Sequence, residues 1–315
     1  MDRIAIIDMG TNTFHLLLAE IRLNDYRILY RNHEVVKIGV GGINEGIITE
    51  AACQRAIAAM KRFKKIIDEE SITKIHSFGT SALRNAKNGH LLTDEIKTIT
   101  GISIRIISGD EEADLIYAGI QEALDLKDDL GLVMDIGAGS VEFIIGNREM
   151  AFWKQSFEIG GQRLLEKFQK NDPIRPDEIT ALGSYFQATL DPLLTALQKF
   201  NPGILIGSSG SFDTLSDIYC IRQGITLPPD AAETPLTLTE FYEIYNELIR
   251  KNRAERMNVP GMIDMRVDMI VVACCLISYV LERHTFSGVR VSKYSLKEGV
   301  LAKVSKTMQE SGGFG

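Results

Sequence analysis

Apolar positions along the chain come in short runs whose period switches between two and about 3.6 residues. The run IAII at 4–7 ends in Asp8, passes through the small polar stretch GTNT and resumes as FHLLL, the pattern of a strand, a turn and a second strand. YRILYR at 26–31 supplies a third strand. Helical spacing follows at about 50–70 and 82–98, with the strand-like runs KIHSFGT at 74–80 and SIRII at 103–107 between and after them. The same order then returns. LVMDIGAGSVEFII carries Asp135 into a second glycine-rich turn, MAFWKQSF at 150–157 makes a third strand, and helical spacing recurs at about 161–170 and 176–199. Two further short strands are expected at 203–207 and 288–292. Setting Asp8 on Asp135 brings Gly10 onto Gly137, Asn12 onto Gly139, Thr13 onto Ser140 and His15 onto Glu142. The repeat predicts two related α/β domains, 1–125 and 126–315, each with a mixed sheet flanked by helices. The amphipathic segment at about 296–309 is expected to pack back on the first domain, and the tail SGGFG is expected to fray.

Composition narrows this picture. The 315 residues and 45% hydrophobic content suffice for two ordinary cores. MIVVACCLISYVL at 269–281 is too short to span a bilayer and reads as a buried core helix. No secretory signal pattern is present, so the expected address is the cytoplasm, with no membrane partner. The four cysteines show no CxxC spacing and are expected as reduced structural thiols. A net charge of −7 repels polyanions and argues against a nucleic-acid partner, so an anionic substrate must be held locally. The basic cluster Lys61, Arg62, Lys64 and Lys65 is either a solvated helix face or a rim guiding an anionic chain.

The two turns suit phosphate. Small residues let backbone N–H groups converge on an anion, and the hydroxyls of Thr11, Thr13 and Ser140 add donors. Gly10, Thr11, Asn12 and Thr13 in the first turn and Gly137, Ala138, Gly139 and Ser140 in the second are therefore the candidate phosphate loops, with an interdomain cleft as the expected place for a shared ligand. Carboxylates beside phosphate require a cation, and magnesium fits, because it takes one or two carboxylates and lets phosphate oxygens and waters complete its octahedron. Asp8, Asp135 and Glu142 are the candidate metal-side acids. Arg84, just past a strand-end glycine, offers a planar fork to phosphate oxygens. Ser209 and Gly210 lie where a strand passes into a helix start, another place that receives phosphates. In ISGDEEADLIYAGI the acids fit either a helix first turn, favoured by the dipole, or a functional role; the residues alone leave both open.

These segments together are identified with a known family. DMGTNTFHLLLAEI, GTSALRNAKNG, IISGDEEADLIYAG, LVMDIGAGSVEFIIG, IGGQRLLEKF, IGSSGSFDTL and RVDMIVVACCLISYVLE…VSKYSLKEGVL resemble, in order and over nearly the whole chain, the exopolyphosphatase and guanosine-pentaphosphate phosphohydrolase (Ppx/GppA) family. That family lies within the actin, sugar-kinase and heat-shock-chaperone superfamily. The resemblance implies two ribonuclease-H-like domains of the actin-like ATPase type and release of terminal orthophosphate from polyphosphate, or of the 5'-phosphate from guanosine pentaphosphate, with Mg2+. It implies Glu112 as catalytic base, Asp135 and Glu142 on the metal side, Arg84 on phosphate, and a homodimer. Ala138 replaces a frequent glycine; Ser295 and Lys297 replace a frequent glycine and arginine. The chain resembles the short two-domain class, since its five histidines show none of the pairing of the longer members' extra domain. Competing readings on the same scaffold are an actin-like ATPase and a non-catalytic polyphosphate or nucleotide sensor.

Overall fold

The computed structural model describes residues 2–22 and 25–311, so from residue 312 on the tail expected to fray lies outside the described residues. The chain divides into two compact units, one made of Met1–Glu122 and Leu296–Gly315, the other of Ala123–Ser295.

In the first unit, β1 (Asp2–Met9), β2 (Thr13–Ile21) and β3 (Tyr26–Val35) form an antiparallel meander. Then come α1 (Glu50–Glu69), β4 (Lys74–Gly79), α2 (Ser81–Asn85), α3 (Gly89–Thr100), β5 (Arg105–Ile106) and α4 (Gly109–Ala123). The sheet order is β3-β2-β1-β4-β5, with β4 parallel to β1 and β5 parallel to β4. Alternation in β1 sorts its side chains. Ala5, Ile7 and Met9 enter a core with Ala52, Ala56, Ala59, Met60 and Phe63 of α1, so Ile4, Ile6 and Asp8 face the other way. The helix Leu296–Ser311 packs against β1 and β2. It approaches α4 so closely that a Cβ on Gly299 would stand 1.7 Å from the Leu115 carbonyl oxygen.

The second unit repeats the plan. After β6 (Gly131–Ile136), β7 (Val141–Gly146) and β8 (Ala151–Phe157) come α5 (Gly161–Phe168), α6 (Pro176–Thr189), α7 (Asp191–Phe200), β9 (Ile204–Ser208) and α8 (Ser209–Gln223). β10 (Glu233–Leu236), α9 (Leu238–Leu248), α10 (Arg253–Met257), α11 (Asp264–Val267), α12 (Ile270–Arg283) and β11 (Val289–Ser292) complete it; the first unit's last helix is α13. The order β10-β11-β9-β6-β7-β8 reproduces the first sheet strand for strand and adds one antiparallel edge strand, β10. Every residue of β6 and β7 is buried, as expected for strands covered on both faces. α12 is buried without interruption from Ile270 to Val280, the core helix its sequence predicts.

Two expected helices are each broken in two. The run at 82–98 stops at Asn85 and restarts at Gly89, because Asn88 turns its amide onto the Ile48 backbone, donating to its carbonyl at 2.8 Å and accepting from its N–H at 2.9 Å. The run at 176–199 breaks at Leu190, because Pro192 in the first turn of α7 lacks the N–H that would carry the hydrogen-bond ladder of α6 onward. The cysteines are free, three of them buried. Among the described residues no helix is long and apolar enough to cross a membrane. Three residues of the basic cluster pair with acids, Arg62 with Glu34, Lys64 with Asp68 and Lys65 with Glu69, as on a solvated face.

Candidate active site

In the first unit, β1 ends by delivering Asp8, half-buried and cross-strand from His15, to the head of a tight turn. The Gly10 N–H donates to the Thr13 carbonyl at 3.2 Å, and a Cβ on Gly10 would press on that oxygen at 2.9 Å. The turn is anchored through its carbonyls. Val36 and Lys37 N–H groups donate to Asn12 O at 3.0 and 2.8 Å, and Gly39 N–H donates to Thr11 O at 3.2 Å. Arg55 locks that anchoring segment by donating to the carbonyls of Val36 and Lys37 at 2.7 and 2.9 Å. Thr11, Asn12 and Thr13 are all buried, and Thr11 Oγ1, Asn12 Nδ2 and Thr13 Oγ1 have no hydrogen-bond partner among the described residues. An unsatisfied buried polar group costs about 1–3 kcal/mol, so three in consecutive residues point to an external ligand with several acceptors.

Arg84 and Glu112, 28 residues apart, meet in the same unit. Arg84 Nη1 donates to Glu112 Oε2 at 2.7 Å and to the Ile107 carbonyl at 3.2 Å. Glu112 is buried in the first turn of α4, whose start is capped by Ser108 Oγ accepting from the Glu111 N–H at 3.1 Å. The two neighbouring acids of this first turn part company. Glu111 pairs outward with Arg105, and Glu112 turns inward to Arg84.

The second turn uses the same backbone device. Gly137 N–H donates to Ser140 O at 3.1 Å, and the carbonyls of Gly139, Gly137 and Ala138 accept from the N–H groups of Gly160, Gly161 and Gln162 at 3.2, 2.9 and 2.9 Å. Arg163 donates to Gly139 O at 2.8 Å and to Glu158 at 3.0 Å. Gly160 is obligatory here, since its Cβ would lie 2.4 Å from the Ala138 carbonyl carbon. Asp135 and Glu142 are direct cross-strand partners on one face of β6 and β7. Both are buried, at 4% and 1% exposure. Ser156 Oγ donates to Glu142 Oε1 at 2.6 Å. Asp135 accepts from Ser209 Oγ at 2.8 Å on both oxygens and from Ser295 Oγ at 2.7 Å on Oδ2, yet forms no ion pair among the described residues.

A buried carboxylate with neutral donors only, beside a second buried acid, is a place a cation would stabilise. Among the described residues no three His, Cys, Asp or Glu side chains cluster to make an all-protein cage. Asp135 and Glu142 are an oxygen donor pair of the kind magnesium takes, since it needs only one or two carboxylates from the protein.

Ser209 and Gly210 hold the start of α8, with Ser209 in the left-handed region at φ 69°. Ser209 spends its hydroxyl on Asp135. Gly210 is the floor for Arg266, whose Cζ and Nη2 would be 2.0 Å from a Cβ there. Sequence reasoning gave Arg266 no role of its own. Its guanidinium is half-buried and makes no hydrogen bond or ion pair among the described residues; burial lowers its pKa, while Asp213 and Asp135 oppose that shift. A desolvated, unpaired guanidinium at a helix start is suited to an anion. Its signal in sequence was only an arginine just before an apolar helix, and its meaning depends on Gly210, 56 positions earlier. Arg55, Arg163 and Ser156 were also missed, because each acts on a partner that chain order does not reveal.

The comparisons with known proteins agree with this geometry. The Ppx/GppA phosphatase family model matches residues 17–308. The crystal structure of an exopolyphosphatase from Cytophaga hutchinsonii superposes with a TM-score of 0.94 at 43% identity, covering 97% of this chain and 98% of that one. A putative exopolyphosphatase of Haemophilus influenzae is 26% identical over 97% of this chain and 92% of its own length. A guanosine-5'-triphosphate,3'-diphosphate pyrophosphatase of Photobacterium profundum is 24% identical over 97% of this chain, which spans 60% of that enzyme. An Aquifex aeolicus family member shares the fold, with a TM-score of 0.78 at 23% identity. Paired acid-tipped turns on duplicated sheets and a family match over almost the whole sequence lead to one conclusion: the chain belongs to the Ppx/GppA phosphatase family and is a phosphoanhydride hydrolase.

Proposed function

We propose that the enzyme is a cytoplasmic exopolyphosphatase that releases terminal orthophosphate from inorganic polyphosphate with magnesium. The observation that carries the reading is the row of three buried, partnerless polar atoms on Thr11, Asn12 and Thr13, donors that phosphate oxygens would satisfy. The names of the Cytophaga and Haemophilus relatives favour polyphosphate as the chain to which that phosphate belongs. The Photobacterium relative favours guanosine pentaphosphate as the second reading, since the group removed is the same. Free cysteines accord with a reducing compartment. The family resemblance supports a homodimer, to be tested by light scattering for twice the 35.0 kDa chain mass.

In this mechanism Thr11, Asn12, Thr13 and the first-turn amides, with Gly137–Ser140 of the second turn, hold phosphate oxygens. Arg266 and the start of α8 at Ser209 and Gly210 add positive potential. Asp135 and Glu142 would hold Mg2+, with Asp8 acting through waters and not as a third direct ligand; the ion when bound neutralises charge on phosphate oxygens. Glu112, oriented by Arg84, accepts a proton from water as the water oxygen bonds to the terminal phosphorus. The bridging oxygen leaves with the shortened chain, and positioning together with electrostatics supplies most of the effect. The test measures phosphate release from long polyphosphate, guanosine pentaphosphate and ATP side by side, with and without magnesium. Magnesium-dependent preference for polyphosphate is expected; preference for guanosine pentaphosphate selects the second reading, and preference for ATP overturns both.

A further inference from the structure

Asp135 is surrounded in an unusual way for an acid meant to face a metal. A carboxylate has about four lone-pair positions, two of them in the notch between its oxygens. Ser209 Oγ lies 2.8 Å from both Oδ1 and Oδ2, so its hydroxyl sits in that notch, where a cation gripped by both oxygens would have to sit. Ser295 Oγ, 2.7 Å from Oδ2, takes a second position on the same oxygen. The carboxylate is 4% exposed and cannot rotate into solvent to escape these donors. What is left is one open position on Oδ1. Ser209 is held there at a backbone cost, its φ of 69° lying in the region that favours glycine.

We infer that Ser209 and Ser295 are positioning residues that confine Asp135 to one-oxygen engagement of a cation, and that this confinement sets a preference for magnesium over calcium. Mg2+ takes single carboxylate oxygens in a tight octahedron and keeps its waters. Ca2+ takes six to eight oxygens and gains from two-oxygen carboxylate grips. The inference rests on the reading of Asp135 as a metal-side acid. Ser292 ends β11 just before the loop that carries Ser295 and donates to the Tyr294 carbonyl at 2.8 Å instead, so it is a control that disturbs that loop without touching Asp135.

The test is calorimetric titration of Mg2+ and Ca2+ into the intact chain, without substrate, for wild type, Ser209→Gly, Ser295→Ala, Ser295→Thr and Ser292→Ala. Glycine accommodates the positive φ, so Ser209→Gly opens the notch without straining the backbone. Its Ca2+ half-saturation is expected to fall about tenfold, with Mg2+ moving less than about threefold. Ser295→Ala shifts the ratio in the same direction by about threefold, Ser295→Thr restores the wild-type ratio by keeping the hydroxyl, and Ser292→Ala leaves the ratio unchanged. Wild type that binds cations but keeps the same Mg2+/Ca2+ ratio in Ser209→Gly and Ser295→Ala overturns this inference alone. Wild type that binds neither cation overturns the metal-side reading of Asp135 and the inference with it.

Discussion

The two turns share a backbone and differ in chemistry. Each closes by a glycine N–H donating to the carbonyl three residues on, and each is pinned through its carbonyls by a later segment; an arginine assists in both, Arg55 by bracing the pinning segment and Arg163 by donating to the turn itself at Gly139 O. The first turn carries Thr-Asn-Thr with three partnerless buried polar atoms; the second carries Ala-Gly-Ser and stands above two buried acids. The two units keep one scaffold with different side chains, and on the proposed reading the first turn offers donors to an anion while the second adds buried acids suited to a cation. The extra chemistry is also unequal: Arg84 and Glu112 belong to the first unit, whereas Arg266 belongs to the second.

The sharpest way to break this division of labour is at Glu112. Glu112→Gln removes the base while keeping shape, and kcat for phosphate release should fall about 10³-fold with the thermal midpoint nearly unchanged. Residual turnover within about tenfold of wild type would remove Glu112 from the mechanism. Next in size is the contrast between the pinning glycines. A Cβ on Gly160 would strike backbone atoms of Ala138 and Gly139 at 2.4–2.5 Å, whereas one on Gly39 meets the Thr11 methyl at 2.5 Å, which can turn aside. Gly160→Ala should cost about 1–3 kcal/mol in urea unfolding and Gly39→Ala distinctly less. Equal costs would show that the two anchors are not built as described.

Much of this was legible before any coordinates. Strand-turn-strand repeats around Asp8 and Asp135 are local patterns, fixed by alternation and by turn residues, and they define both sheets and both loops. The broken helices were not legible, because Asn88 stops one by pairing with Ile48, 40 positions earlier. Nor was the segment 224–268 read as elements, although it holds β10, α9, α10 and α11. Within the site, residue types announced acids and hydroxyls but not their pairings. Ser295 stood out only as a departure from glycine, and its hydrogen bond to Asp135 spans 160 positions. Long-range pairing is a property of the fold, and a single sequence carries no trace of it.

Smaller effects sharpen the same comparison. Thr13→Val removes a buried hydroxyl that lacks a partner, so the free enzyme should be as stable as wild type or up to about 1 kcal/mol more stable, while KM rises. A loss of stability without a KM change would assign Thr13 to structure. The smallest effect is electrostatic. His76 on β4 has its pKa lowered, first by burial and then by Lys74, so the unfolded chain takes up its proton before the folded one. Its contribution is present above the unfolded value of about 6.5 and is lost as pH falls below it. His76→Gln should flatten the decline in urea midpoint between about pH 7 and 5 relative to wild type.

The division of labour itself is tested most directly by polyphosphate binding, measured by calorimetry in the Glu112→Gln background so that the chain is not consumed, with and without magnesium. Thr13→Val should weaken binding by a similar factor in both conditions, whereas Asp135→Asn should weaken it only when magnesium is present and leave or tighten magnesium-free binding. Equal weakening by Asp135→Asn in both conditions, or a Thr13→Val effect confined to magnesium, would contradict the account.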